Sequence, residues 1–310
     1  MKNRRIRKDT AKILYRDSNR YDARNLSVKE DCKHGYSLKT KRRIAKIINY
    51  VNIVLRRRLE MPFLGVTMTT KCSLRCKYCA DLIPMYGKDA CDFDFNRIIR
   101  DVNNVLSSVD KVHTLILGGG EIFLYKQLDK AVSWFANQRK ILTVCLITNG
   151  TVKLSEDILK ILKNPKVIVR VSNYGNVVPG RKAFVSILKA NGIVVEELKR
   201  QRWYDMGQMY DRDKTEQELI STYQNCGMKD CKYIQNGKIW YCSRQRGSEL
   251  GMIPRAIKSD WVSIDGHSDK LRKQIENMYK KSYVTACNYC DGNNKSQKRV
   301  TPGEQMGNKR

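Results

Sequence analysis

From Phe63 onward the chain alternates between short apolar runs and stretches whose apolar positions recur every three or four residues. The runs Phe63–Thr69, Val112–Leu117, Ile141–Thr148, Val167–Ser172 and Ile193–Glu197 predict strands. The stretches Asn96–Val109, Gln127–Arg139, Ser155–Lys163 and Arg181–Asn191 predict the helices between them. Such alternation predicts right-handed βαβ units, a parallel sheet and the α/β class. Ligands of such sheets gather at the carboxyl ends of the strands. Ahead of this region, Ile44, Ile47, Ile48, Val51, Val54 and Leu55 recur at helical spacing within Lys41–Arg58, between Lys41-Arg42-Arg43 and Arg56-Arg57-Arg58. The pattern predicts an amphipathic helix packed on the domain that follows, with a membrane-surface helix as the alternative.

The remaining segments carry weaker patterns. Residues 1–40 are polar and irregular and read as a loosely ordered arm; beyond Leu198 the strand–helix alternation fades. The expected organisation is a basic arm and amphipathic helix at 1–61, an α/β domain at 62–198 and a linker or pocket segment at 199–225. A cysteine-bearing unit at 226–290 and a polar tail at 291–310, mobile at its end, complete it.

With 310 residues and 41% hydrophobic content, one large α/β domain and a smaller appended unit fit the chain. No run of about 18 apolar residues is present, so no membrane span is expected. The start, MKNRRIRKDT, lacks the apolar stretch of a secretory signal, and a cytoplasmic location follows as the expectation. In a reducing compartment the 11 cysteines are free, and clustered ones are metal ligands or catalytic groups. Cys145, inside an apolar run, reads as a small buried hydrophobe. The formal charge is +29, and residues 1–60 hold 19 Lys or Arg against 6 Asp or Glu. Such a field attracts nucleic acid, phosphorylated substrates or anionic lipid without choosing among them, and a lysine-rich proteome explains it equally well.

The candidate chemistry starts at Cys72-Ser73-Leu74-Arg75-Cys76-Lys77-Tyr78-Cys79, directly after the first strand. Iron–sulfur clusters normally take four thiolates, so a set of three leaves one iron open. A structural zinc site would recruit a fourth ligand nearby, and none occurs before Cys91. Gly118-Gly119-Gly120-Glu121 closes the second strand, Thr148-Asn149-Gly150 the third and Ser172-Asn173-Tyr174 the fourth. Each taken alone is an ordinary turn.

Together these residues resemble the radical S-adenosylmethionine (SAM) superfamily, whose signature is Cys-x3-Cys-x2-Cys with an aromatic residue before the last cysteine. The resemblance covers about residues 62–198 and implies a partial (β/α)6-type barrel. It further implies a [4Fe–4S] cluster on Cys72, Cys76 and Cys79, with SAM on the open iron and Tyr78 by the adenine. Gly119, Gly120 and Glu121 look like the Gly-Gly-Glu motif that meets the SAM amino group, although Ile122 replaces the usual proline. Asn149 and Ser172 are similar to positions that touch the SAM ribose and carboxylate.

The second cysteine group resembles the twitch or SPASM extension of that superfamily, a small β-hairpin and helix unit carrying an auxiliary cluster. By this likeness Cys226, Cys242, Cys287 and Cys290 hold a second [4Fe–4S] cluster, and Cys231 is left over as ligand, substrate-side thiol or structural residue. Asn236-Gly237 independently signals a type I′ hairpin turn. A zinc site with four cysteine ligands is the alternative for this group. The whole layout is similar to compact radical SAM dehydrogenases. It implies a small polar substrate, sugar- or aminocyclitol-like or phosphorylated, and a reductant such as flavodoxin or ferredoxin. Trp203-Tyr204-Asp205 is placed to line the substrate pocket; no catalytic base is singled out. Two alternatives stand beside this: radical modification of a peptide or RNA, and a non-catalytic zinc-stabilised nucleic-acid-binding protein. Nucleic acid is the less favoured partner.

Overall fold

A computed structural model describes residues 5–30, 37–198, 202–254, 257–265 and 268–307. Helix α1 (Lys8–Glu30) is followed by α2 (Leu38–Asn49), which runs on as a π-helical turn (Tyr50–Leu55), and then by β1 (Glu60–Thr69). Next come α3 (Phe95–Ser108), β2 (Lys111–Gly119), α4 (Leu128–Asn137), β3 (Ile141–Thr148), α5 (Glu156–Leu162), β4 (Val167–Val171), α6 (Arg181–Ala190) and β5 (Val195–Glu197). The back part holds β6 (Trp203–Tyr204), α7 (Glu216–Gln224), β7 (Tyr233–Gln235), β8 (Lys238–Trp240), α8 (Arg246–Glu249), β9 (Trp261–Ser263), α9 (Ser268–Met278) and β10 (Arg299–Val300).

Eight strands form one sheet in the order β5-β4-β3-β2-β1-β7-β8-β9. The first five are mutually parallel, with Thr69 of β1 beside Gly119 of β2 and Thr148 of β3 beside Val171 of β4. Their aliphatic runs are buried almost throughout, as expected of a parallel sheet covered on both faces. The five expected strands and four expected helices all form, with ends shifted by a few residues. Because consecutive strands lie side by side, their carboxyl ends and the loops leaving them converge along one rim.

The hairpin β7–β8 turns at Asn236 and Gly237, whose φ values of 51° and 70° are those of a type I′ turn. A Cβ on Gly237 would lie 2.4 Å from the guanidinium of Arg97, and its amide donates to buried Asp101 at 3.0 Å. The hairpin is not a detached unit. β7 pairs in parallel with β1, so the cysteine-bearing region extends the barrel's own sheet.

The amino-terminal segment differs most from expectation. Residues 8–30 form a 23-residue helix rather than a loose arm. Its buried positions include Ala11 and Leu14 but also Thr10, Asp17, Ser18 and Asn25, so no apolar stripe announces it. Polar contacts dock it instead. His113 on β2 lies between Asp22 of α1, at 2.9 Å, and Glu60 of β1, at 3.0 Å. Burial disfavours the charged imidazole, but the two carboxylates outweigh it and its pKa is raised. Asn25 donates to Thr114 at 2.9 Å.

Helix α2 also corrects the expectation of an apolar face packed inward. Its inner face carries Asn49 and Asn52, both buried, and Asn49 donates to Asn19 and Asp22 of α1 at 2.9 and 2.8 Å. Ile44, Ile47 and Ile48 point outward, while Ile53 of the continuation is fully buried. No helix among the described residues is long and apolar enough to cross a membrane.

Candidate functional site

The rim is built by tight backbone contact between the loops that leave β1 and β2. Gly120 N–H donates to the Thr69 carbonyl at 2.7 Å, and Glu121 N–H to the Lys71 carbonyl at 2.8 Å. A Cβ on Gly119, whose φ is +118°, would fall 2.2 Å from the Thr69 carbonyl oxygen, and one on Gly120 would fall 2.0 Å from that of Lys71. Both glycines are therefore demanded by the approach of the cysteine loop. Thr69 and Thr70 anchor that loop further, through Thr69 Oγ1 to Asp92 at 2.7 Å and the Thr70 amide to the Cys91 carbonyl at 2.8 Å.

Glu121 is buried, and burial raises its pKa against the hydrogen bonds that lower it. Its two oxygens accept from Thr148 Oγ1 at 2.7 Å, from the Asn149 amide at 2.7 Å and from the Phe123 amide at 3.2 Å. One carboxylate thus joins the ends of β2 and β3. Asn149 in turn donates to Ser73 Oγ at 3.0 Å and lies 3.8 Å from Cys72 Sγ. A continuous polar chain runs from the glutamate to the cysteine loop.

A cavity of about 380 Å³ opens at this rim. Its wall includes Cys72, Cys76 and Cys79, and also Tyr78, Gly119, Gly120, Glu121, Asn149 and Ser172. Every residue singled out for the first cluster and for SAM faces this one space. Trp203 and Tyr204 line it as well, whereas Asp205 does not. Burial pushes the thiols of Cys72 and Cys79 up to about 11 and about 12, so binding a metal there would expel protons. Backbone N–H groups of Leu74 on Cys72, and of Asp81 and Ile83 on Cys79, oppose that rise and would support thiolates.

Cys226, Cys242, Cys287 and Cys290 line a second, much smaller cavity of about 20 Å³. Two of the sulfurs accept backbone amides: Cys226 from Met228 and Asn293 at 3.4 and 3.3 Å, Cys290 from Gly292 at 3.3 Å. Lys214 Nζ fixes the Cys287–Cys290 turn by donating to both cysteine carbonyls, at 3.0 and 2.7 Å. Cys231 is absent from this wall; the ionisable groups acting on it are Asp230, Lys232, Asp81 and Cys226. Cys145 is buried in β3, and Cys32 lies outside the described residues. No three His, Cys, Asp or Glu side chains among the described residues converge closely enough to hold a single metal ion. Met206 and Met228 line both cavities.

Several residues of the site carried no signal in the sequence. Arg246, buried on α8, binds Asp81 of the cysteine loop, Thr67 of β1 at 2.8 Å and Gln235 of β7 at 3.1 Å, and lies over the Tyr233 ring. The described part of the polar tail folds back over the cysteine loop. β10 pairs with β6, and residues 304–306 run antiparallel to 75–77. Lys77 N–H donates to the Glu304 carbonyl at 2.7 Å, Met306 N–H to the Arg75 carbonyl at 2.8 Å, and Arg75 N–H to Gln305 Oε1 at 2.7 Å. Gln305 Nε2 lies 3.6 Å from Cys76 Sγ. Nothing in a Gly/Asn/Lys-rich composition foretells such pairing.

The model of the radical SAM superfamily matches residues 66–172. Among solved structures, SuiB of Streptococcus suis bound to S-adenosylmethionine aligns with 13% identity and a TM-score of 0.37, over 52% of this chain and 38% of that one. Native anSMEcpe with bound AdoMet and Cp18Cys peptide aligns with 13% identity and a TM-score of 0.48, over 79% and 93% of the two chains. BtrN in complex with AdoMet and 2-DOIA aligns with 18% identity and a TM-score of 0.45, over 79% and 96%. The chain thus spans about two fifths of the SuiB chain. No curated protein matches it.

Proposed function

We propose that this chain, which belongs to the radical SAM superfamily through the domain at residues 66–172, oxidises a small polar substrate of sugar or aminocyclitol type. The family implies a [4Fe–4S] cluster and SAM, which when bound supply reductive cleavage to an oxidising 5′-deoxyadenosyl radical. We assign the cluster to Cys72, Cys76 and Cys79. The observation that supports this most is the single cavity at the strand ends, walled by three thiols on one side and by Glu121, Asn149 and Ser172 on another. Three thiols suit a cluster with one open iron. Gly119 and Gly120 let the cavity wall pack directly on the Thr69 and Lys71 carbonyls leading into the cysteine loop, where a Cβ would clash.

Cys226, Cys242, Cys287 and Cys290 are assigned to an auxiliary [4Fe–4S] cluster that accepts an electron. Taking a secondary alcohol to a ketone removes a hydrogen atom, a proton and an electron. Met206 and Met228 line both cavities, so a group held by these four cysteines would adjoin the cavity assigned to the substrate and could take up its electron. The cavity also opens toward a groove of about 860 Å³ that shares Arg202, Tyr204 and Asn293 with it. Ser221, Thr222, Asn225, Asn294 and Gln297 line that groove, offering hydroxyl and amide partners for a hydroxyl-rich ligand, with Arg202 and Lys295 for a phosphate. The strongly basic chain suits an acidic one-electron donor such as flavodoxin or ferredoxin.

The test is anaerobic reconstitution followed by incubation with SAM, dithionite and a panel of sugars and aminocyclitols. Substrate-dependent 5′-deoxyadenosine, with a ketone product, is the expected result. Zinc as the dominant metal would overturn the assignment. Turnover of a peptide or RNA alone, weakening steeply with salt in the RNA case, would favour the macromolecular alternative that the high net charge keeps in play.

A further inference from the structure

Half of the large hydrophobic side chains exposed on the described chain fall within twelve consecutive residues. Ile44, Ile47, Ile48, Tyr50 and Leu55 are 46%, 64%, 47%, 46% and 57% exposed. At 3.6 residues per turn Ile44, Ile47, Ile48 and Leu55 share one face of α2 and its π-helical continuation. That face is turned out because the opposite one is engaged: buried Asn49 bonds to Asn19 and Asp22, and Arg42 bonds to Ser27 and the Ala23 carbonyl. The helix is set in the protein with Asn49, Asn52 and Ile53 inward and with Ile44, Ile47, Ile48 and Leu55 toward solvent. Contiguous apolar surface of this kind marks a binding site for another body.

Charge selects the body. Between Ser37 and Leu59 the sequence has eight Lys or Arg and no Asp or Glu. Lys39, Arg43 and Lys46 are exposed at the front of the aliphatic face and Arg56 at its back. We infer that α2 and its continuation form an interfacial helix that docks the protein on an anionic lipid surface. The isoleucines and Leu55 enter the acyl boundary, Tyr50 sits at headgroup level, and the flanking cations meet lipid phosphates. A second copy of the chain fits less well. An isologous contact through this face sets basic flanks against basic flanks in either direction. Nucleic acid would use the cations and gain nothing from four aliphatic side chains.

The experiment is sedimentation of the full chain with phosphatidylcholine vesicles and with vesicles containing phosphatidylglycerol. Binding to the anionic vesicles alone is expected, weakened by salt. The triple variant Ile44→Ser, Ile47→Ser, Ile48→Ser should lose at least about tenfold in partitioning, because the aliphatic contribution is removed while every charge remains. Ile187→Ser, exposed to 49% on α6, should bind like the parent. Because the three isoleucines are already in solvent, melting temperature should hold in the triple variant. Tyr50→Trp should show a blue-shifted emission on anionic vesicles, which surface adsorption without insertion would not produce. Equal vesicle binding by parent and triple variant, or no binding to any vesicle, would overturn the inference. So would a dimer in sedimentation velocity that the triple variant abolishes while vesicle binding is absent. Binding of a fluorescent RNA that survives the triple substitution, with no vesicle binding, would reassign the cations to nucleic acid.

Discussion

The two cysteine groups differ in nearly every physical respect. The front group has three thiols on one loop, along a cavity of about 380 Å³ whose wall also holds Glu121, Asn149, Trp203, Tyr204, Met206 and Met228. The back group has four thiols drawn from distant parts of the chain around only about 20 Å³. An open set of ligands suits a centre that must admit a second molecule, whereas a closed set suits one that only stores charge. The distinction parallels that between catalytic and structural metal sites in general. The front loop is clamped by backbone hydrogen bonds from the loop after β2 and from the tail, and the back group by Lys214 and by backbone amides on Cys226 and Cys290.

The largest expected effect comes from emptying the open site. Reconstituted parent protein should hold about eight irons per chain, and changing Cys72, Cys76 and Cys79 together to alanine should leave about four. Formation of 5′-deoxyadenosine should fall to background in the triple variant and in Cys76→Ala alone. Iron analysis and chromatography of the SAM products check both. Loss of all iron in the triple variant would show that the two centres do not assemble independently.

Next in size is the closed site. Cys242→Ser should remove about four irons, since a hydroxyl is a far poorer ligand than a thiolate, while leaving reductive SAM cleavage in place. Substrate oxidation should stop, because its electron has no acceptor. Cys231→Ser should keep its iron, as its side chain does not line the second cavity. If Cys231→Ser lost four irons and Cys226→Ser kept them, the ligand set would have to be redrawn.

How far each site could be read from the chain follows from the kind of information it contains. The front site is local. Its cysteines lie within eight residues, and its other groups end successive strands, so the strand–helix period that predicts the sheet also places Gly119, Asn149 and Ser172 on one rim. The back site is distributed, and only likeness to a known layout could pair Cys226 with Cys290. Elements held by polar contacts stayed hidden. Helix α1 docks through Asp22, Asn25 and His113, which no hydrophobic period reports. Helix α2 shows a strong period, but a period identifies a face without telling what the face meets. Arg246 and Gln305 bring distant segments together and are ordinary residues until the chain is folded.

A smaller effect is expected where the open site is held by one side chain. Glu121→Gln replaces an acceptor oxygen by an amide donor at a carboxylate that receives Thr148, Asn149 and Phe123. One buried donor then faces another, at a cost of about 1–3 kcal/mol. Asn149 and the wall it supports should shift, and SAM binding should weaken by roughly 10- to 100-fold. Iron content should remain near the parent's, because the glutamate touches no cysteine. Equilibrium dialysis with SAM, alongside iron analysis, separates this outcome from general misfolding. Unchanged affinity would remove Glu121 from the binding wall.

The smallest expected effect, and the finest probe of the contrast between the two sites, concerns the tail that covers the open one. Gln305 receives the Arg75 amide on Oε1 and presents Nε2 to Cys76 Sγ at 3.6 Å. Hydrogen bonds to cluster sulfurs stabilise the more negative, reduced state and so raise the potential. In Gln305→Leu a side chain of similar size remains and all three polar contacts are lost, to the Arg75 amide, to Cys76 Sγ and to the Gly303 carbonyl. If the missing amide-to-sulfur bond is worth about 0.5–1.5 kcal/mol, the front centre's potential should fall by about 20–65 mV. The back centre, whose sulfurs are served by Met228, Gly292 and Asn293, should be unmoved. The Arg75 amide should also exchange its hydrogen faster, even in protein without metal, which reads the tail's hold on the loop independently of any cluster. Redox titration followed by electron paramagnetic resonance distinguishes the two centres in one sample. A shift in both, or in neither with Arg75 exchange unchanged, would mean that the tail rests on the loop without tuning it.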